Sequence, residues 1–365
     1  MRPARNNPRP HPNTPMLKPH LLLFPLMLPG ALLLASLPTA PNPASAAPPP
    51  TAFLPAPLRS AAAAVPLQPG AARPDRSSRV SFDRAPGEVR IHIGGQPFAT
   101  YGYADPHIPR PYFAHLRTGD GIQVTRNHPP VPGQDPTDHD LLHPGLWMAF
   151  GDLNGEDFWR QKATVRHERF RSEPKTDGTR GGFSVVNRYV AADGVTTVCR
   201  ETARYTIEAT EHGRRLVWDS TFEPMVHELA FGDQEEMGLG ARVATALTVR
   251  SGGEMVDAAG NRNEKGIRGK QTAWCDYSGM RDGRRVGITL MAHPENFRGA
   301  WWHARDYGLI VANPFGRASL VGGEPSRVVV KPGERLRLRF GVLVHSDSPN
   351  ARTDPAAAFR AYAGR

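Results

Sequence analysis

The chain has 365 residues, with 45 Lys and Arg against 35 Asp and Glu, for a formal net charge of +10. Residues 1–78 hold seven of those bases and one acid, so +6 of the excess lies there and only +4 elsewhere. That distribution argues against a basic nucleic-acid-binding domain, and two cysteines in the whole chain exclude a disulfide-built scaffold.

Residues 21–37 form an apolar run preceded by Arg2, Arg5, Arg9 and Lys18 and followed by Ala44-Ser45-Ala46. This is the pattern of a secretory signal peptide over 1–46, with Met16 as a candidate start. The alternative is a membrane anchor left uncleaved. Pro25, Pro29 and Gly30 interrupt the run, however, and it falls short of the ~20 residues a span needs. The expected location is therefore periplasmic or extracellular, without stable membrane insertion after cleavage. Residues 47–78 are rich in Pro and Ala and read as a disordered tether. Residues 79–365 are expected to fold as one domain.

Within that domain β-rich runs follow one another. Segments 79–84, 88–93 and 98–103 are divided by Pro86-Gly87 and Gly94-Gly95; 122–126, 162–171, 183–191, 196–210 and 214–223 come next. In 196–210, Cys199, Ala203, Tyr205 and Ile207 share one face. Further strands are expected at 242–250, 285–292, 309–312, 327–330 and 335–345. In the last of these, Leu336, Leu338, Phe340, Val342 and Val344 point one way. Only the tail reads as helix, with Asp354 as N-cap and Pro355 in the first turn. The expected fold class is all-β, a large antiparallel sandwich or supersandwich with a short C-terminal helix.

Residues 138–162 break this regularity. The apolar run 146–150 is a short buried strand, and polar residues flank it on loops. Asp138, His139 and His143 lie before it, bracketed by Pro136 and Pro144; Asp152, Glu156 and Asp157 lie after it. A His beside an Asp is suited to acid–base work near neutral pH. Two further clusters are expected on loops. Glu235, Glu236 and Arg242 surround two glycines that admit a close backbone approach. The stretch from His293 carries Asn296 and Arg298, and Trp301, Trp302, His303, Arg305, Asp306 and Tyr307 follow. Tryptophans beside His, Arg and Asp suit a saccharide: rings cover its C–H faces, and polar groups bond its hydroxyls.

Residues 138–160, 274–279, 293–298 and 303–316, the last ending in Ala-Asn313-Pro-Phe-Gly, resemble the bacterial family labelled methane oxygenase PmoA. That label implies a soluble copper or iron oxygenase with His139, His143 and His303 as candidate ligands, since imidazoles suit those metals. The β-rich pattern also resembles galactose mutarotase-like supersandwiches. This implies a His acting with a carboxylate on a sugar held across a sheet.

The leading expectation is a secreted carbohydrate-active protein that hydrolyses, eliminates or epimerises a saccharide, with no cofactor. His139, His143, His303, Asp306 and Glu236 are the expected catalytic set. Asp138, Trp147, Asp152, Arg242, Arg298, Trp302, Arg305, Tyr307 and Asn313 are the expected substrate contacts. A metal oxygenase and a non-catalytic carbohydrate-binding module are the alternatives. The chemistry requires the separate clusters to meet in one place.

Overall fold

The structure, a computed structural model, describes residues 76–225, 227–347 and 352–364, all within the compact unit Pro69–Arg365. The expected signal peptide lies outside the described residues, as do nearly all of the tether and the start at Met16. The described strands are, in order, β1 (Val80–Ala85), β2 (Glu88–Ile93), β3 (Gln96–Gly102), β4 (Tyr112–Ala114), β5 (Leu146–Phe150) and β6 (Thr164–Thr176). They continue with β7 (Arg180–Val190), β8 (Thr197–Thr210), β9 (Gly213–Pro224), β10 (Leu229–Phe231), β11 (Met237–Arg242) and β12 (Glu254–Asp257). The series ends with β13 (Trp274–Arg281), β14 (Arg284–Ala292), β15 (Trp301–Arg305), β16 (Leu309–Asn313), β17 (Val328–Val330) and β18 (Leu336–Ser346).

These strands form two antiparallel eight-stranded sheets, the first ordered β1-β2-β3-β4-β5-β11-β16-β15 and the second β12-β13-β14-β18-β9-β8-β7-β6; β10 and β17 make a small pair. Alternate residues of both sheets enter one apolar cluster between them, so the sheets face each other. In β18 Leu336, Leu338, Phe340, Val342 and Val344 are buried in that cluster and Arg337 is exposed. This is the two-residue period the sequence shows. The tail helix Pro355–Ala363 begins where expected, with the Asp354 carboxylate accepting from the Ala356 and Ala357 N–H groups. The all-β sandwich and the short C-terminal helix are thus as expected.

Some boundaries differ. The strand expected at 242–250 stops at Arg242 and gives way to 3-10 turns at Thr245–Leu247 and Val249–Ser251. Val243, Ala244, Leu247 and Thr248 are all buried, a spacing no strand with one wet face can produce. The expected strand at 122–126 makes only isolated bridges. Two clusters expected on loops instead run into strands β11 and β15. Cys199 and Cys275 are buried and unpaired. On the inward face of β8, between Cys199 and Ala203, sits a buried acid, Glu201. It accepts hydrogen bonds from Asn187 (2.9 Å), Ser220 and Tyr189. Ser220 in turn accepts from the Trp218 indole at 3.0 Å.

Candidate functional site

The first sheet has a second set of side chains on the face turned away from the core. Trp147 on β5 pairs with Gly240, Gly240 with Val311, and Val311 with His303, which puts one row across four strands on that outward face. The adjacent row is Arg242, Leu309, Arg305. Trp147, Leu309 and Val311 pack there with Tyr112, Trp159 and the half-buried Tyr307 as a separate apolar cluster. Strand parity therefore places the 139/143 cluster and the 303 cluster on the same side of one sheet.

At one end of the row, His143 N–H bonds the His139 carbonyl at 2.8 Å, a single turn that stacks the two imidazoles with centroids 4.9 Å apart. The stack continues from His143 to Trp147 (5.0 Å) and from Trp147 to Trp159 (5.6 Å). Two buried arginines fasten the turn. Arg126 donates to the carbonyls of Pro136, Asp138, His139 and His143. Arg242 grips both Asp138 carboxylate oxygens at 3.0 Å, donates to His143 Nδ1 at 3.1 Å, and lies 4.5 Å over the Tyr307 ring. Because His143 Nδ1 accepts, its proton sits on Nε2. Burial, with Arg242 adding to it, holds the His143 pKa well below the usual value. Burial opposes ionisation of Asp138, but hydrogen bonds from Arg242 and His139 outweigh it and keep the carboxyl below its ordinary range. His139 donates from Nδ1 to Asp138 at 3.1 Å and is half-exposed.

Gly240 has no side chain because the Trp147 indole lies over it: an added Cβ would sit 2.7 Å from Trp147 Cε2. The stack holds that indole in place. Gly240→Ala is therefore expected to destabilise the protein by about 2 kcal/mol. Urea unfolding should show the midpoint falling at constant slope; an unchanged midpoint would mean the indole moves aside freely.

At the other end of the row, Glu235 accepts from Arg268 and from Arg305 (3.3 Å), and Glu236 pairs with Arg160 at 3.3 Å. His303 donates from Nδ1 to the Glu235 carbonyl at 3.2 Å and accepts at Nε2 from Arg305 Nε at 3.0 Å. Burial first, opposed by Glu235, pushes the His303 pKa down to about 4. Burial raises the Glu236 pKa, with Arg160 opposing and Glu235 reinforcing. Tyr307 lies between the two ends. Burial raises its pKa, and the charges of Arg242, Arg305, Asp138 and Glu236 all act on it.

Several expected roles are corrected. His303 takes Glu235, not Asp306, as its carboxylate neighbour. Strand β15 ends at Arg305, and Asp306 in the turn beyond it instead accepts the Glu264 N–H at 2.9 Å. Trp302 is wholly buried in the core with its indole N–H on Thr272, so no ligand can stack on it. Trp147 is equally covered and serves as an inner layer of the stack. Asn313 is buried and spends its amide on the Gln234 and Glu235 carbonyls and the Phe315 and Gly316 N–H groups; it shapes the 233–236 segment. Arg298 packs on Phe297 and Trp301 and donates to Ser326. Asp152 caps its own turn at Gly155 N–H and lines a separate cavity of about 280 Å³ with Glu228 and Arg327.

The three histidines do not form one metal triad. His139 and His143 group with Asp138, and His303 groups with Glu235 and Glu236. In each group a guanidinium N–H occupies an imidazole lone pair that a cation would need, so these donor sets do not fit a resident copper or iron. Glu235, Arg126, Arg160, Glu264 and Arg268 were absent from the expected set. Only Glu235 had a sequence signal, its place beside Glu236.

Fold and site together define a two-sheet antiparallel sandwich with an arginine-clamped His, carboxylate and Tyr surface on the outward face of one sheet. The chain belongs to a family of unknown function (DUF6807), whose model matches residues 88–359. That match replaces the resemblance to the methane oxygenase PmoA family drawn from the four motifs, and with it goes the basis for an oxygenase. No curated protein matches the chain. Similar solved structures include a galactose mutarotase related enzyme from Lactobacillus acidophilus, 10% identical over 75% of this chain and 99% of that one, with a TM-score of 0.30. A galactose mutarotase-like protein from Clostridium acetobutylicum is 10% identical over 73% of this chain and 94% of that one, with a TM-score of 0.29. At such scores these likenesses carry no weight for this chain's chemistry. Among the described residues no helix is long and apolar enough to cross a membrane.

Proposed function

We propose that the chain binds a saccharide on the outward face of the first sheet and transforms it by proton transfer. The observation that carries this reading is a pair of carboxyl groups flanking Tyr307 whose surroundings drive them apart: Asp138 is held ionised and Glu236 is held toward its protonated form. Such a split is what separate acid and base roles require. Glu236 serves as the acid. His139, hydrogen-bonded to Asp138 and half-exposed, serves as the base. Tyr307 offers the ring against which a pyranose face packs. His143 and His303 are positioning residues: the first stacks under His139, the second orients Arg305 and Glu235.

The test is a glycan panel presented to the full chain, with products followed by NMR. On the substrate found, Glu236→Gln and His139→Asn are each expected to lower kcat at least tenfold with the fold intact. Turnover unchanged in both variants would remove the site from consideration. Binding without turnover would leave a carbohydrate-binding module.

A further inference from the structure

A cavity of about 520 Å³ lies away from this face, on the outward side of the second sheet. It forms where β6, the edge strand, bulges. Ser172 pairs with Ser184 but Lys175 pairs with Gly182, so one extra residue is inserted and the edge bends away. Gly182 provides a floor without a side chain. Thr206 lies opposite Gly182 and Arg204 opposite Ser184 on β8, and Arg180 stands at the strand entry. Lys175, Arg180 and Arg204 are all exposed, all line the cavity, and none has an ion pair among the described residues. The one acid lining it, Asp177, accepts the Arg180 backbone N–H.

Other bases on this face have an acidic partner, Arg188 and Arg200 in Glu168, Arg335 in Glu223, Arg337 in Asp219 and Arg339 in Glu295; Arg166, opposite Arg188, has none among the described residues. Arg180 lies opposite Glu208 on β8, which is already paired with Arg215 at 2.6 Å, so the cations still outnumber the acids around this groove and give it a positive potential. Ser172, Ser184 and Thr206 add hydroxyls. Phe183 and Tyr205 turn their rings into the core and leave no aromatic face on which a nucleic-acid base could stack.

We propose that this groove binds an acidic polysaccharide, with Lys175, Arg180 and Arg204 on its carboxylate or sulfate groups. The saccharide class rests on the function proposed above; the preference for anions does not. It would tether the protein to an anionic glycan while the opposite sheet works on its own ligand.

The experiment measures binding of the full chain to polygalacturonate, dextran sulfate, neutral dextran and a thymidine oligonucleotide at two salt concentrations. Polygalacturonate or dextran sulfate is expected to bind, more weakly at higher salt, and neutral dextran not to bind. The double variant Arg180→Glu, Arg204→Glu should weaken that binding at least tenfold. Arg166→Glu, an exposed site on the same face outside the groove, should change it less than twofold. Absence of binding to both acidic polymers at low salt overturns the proposal. An equal loss in Arg166→Glu does too, because it means diffuse attraction, and tighter binding of the oligonucleotide assigns the groove to nucleic acid. Glu236→Gln should leave this binding intact. Failed turnover with intact binding therefore counts against the first-sheet site alone, and the reverse outcome counts against the groove alone.

Discussion

Arg242→Leu is expected to destabilise the protein by about 3 kcal/mol and to loosen the turn that carries His139 and His143. Arg242 is buried and makes three contacts at once: both oxygens of Asp138, Nδ1 of His143 and the face of Tyr307. Hydrogen bonds to charged groups contribute roughly 1.5–3 kcal/mol each when buried. Asp138 is 39% exposed, so its share falls toward the low end. His143 is not exposed, and without Arg242 its Nδ1 would face the interior without a donor. Arg242→Lys restores the charge but not the fork, and should recover less than half of the loss. Urea midpoints measure the stability. NMR titration of His143 gives the second readout: with the adjacent positive charge removed its pKa should rise, though not to the ordinary value, because burial persists. An unchanged midpoint with an unchanged His143 titration would show that Arg126 alone fastens the turn.

That clamp marks where the sequence stops being legible. Residues 146–150 could be read as a buried strand because five apolar residues in a row fit nothing else at that length. The glycines before Arg242 announced a close approach, and Gly240 beneath Trp147 is that approach. Burial on β18 and the Asp354 cap follow from period and residue type. Arg126 had no such signal. Its four acceptors are backbone carbonyls, which every residue has, so nothing in the residue types of 136–143 names their donor. The fourth cluster failed for a different reason. With β15 taken as a loop, neighbouring Trp301 and Trp302, or His303 and Asp306, could be gathered on one side. Once it is a strand, alternation sends Trp302 into the core, and the strand ends at Arg305, which leaves Asp306 in the turn beyond it and on Glu264. The split between Asp138 and Glu236 depends on burial and on the placement of Arg242 and Arg160, which only the folded sheet supplies.

Glu201 shows the same alternation with an acid on the wrong side of it, and its replacement carries the largest expected stability effect. Glu201→Ala should cost about 4 kcal/mol. It opens a cavity on the inward face of β8 and strands the Asn187 and Ser220 donors. Glu201→Gln should behave in the opposite way at neutral pH. Burial raises the Glu201 pKa, against the hydrogen bonds from Asn187 and Ser220. The folded state therefore binds the proton more tightly than the unfolded chain, whose carboxyl titrates near ~4.3. The resulting stability is present in full below that value and is lost as pH rises through the folded value. Gln has no proton to lose. Relative to the native chain, Glu201→Gln should thus gain stability between pH 4 and pH 7. Asp276 supplies a contrary slope below that window. Burial opposes its ionisation, but His345 and the hydroxyls of Thr289 and Ser278 lower its pKa, so its contribution is lost as pH falls. Both chains should share that acid limb. Urea midpoints at pH 4 and pH 7 decide the matter: parallel pH profiles for the two chains would mean that Glu201 stays ionised in the core, held there by its three donors.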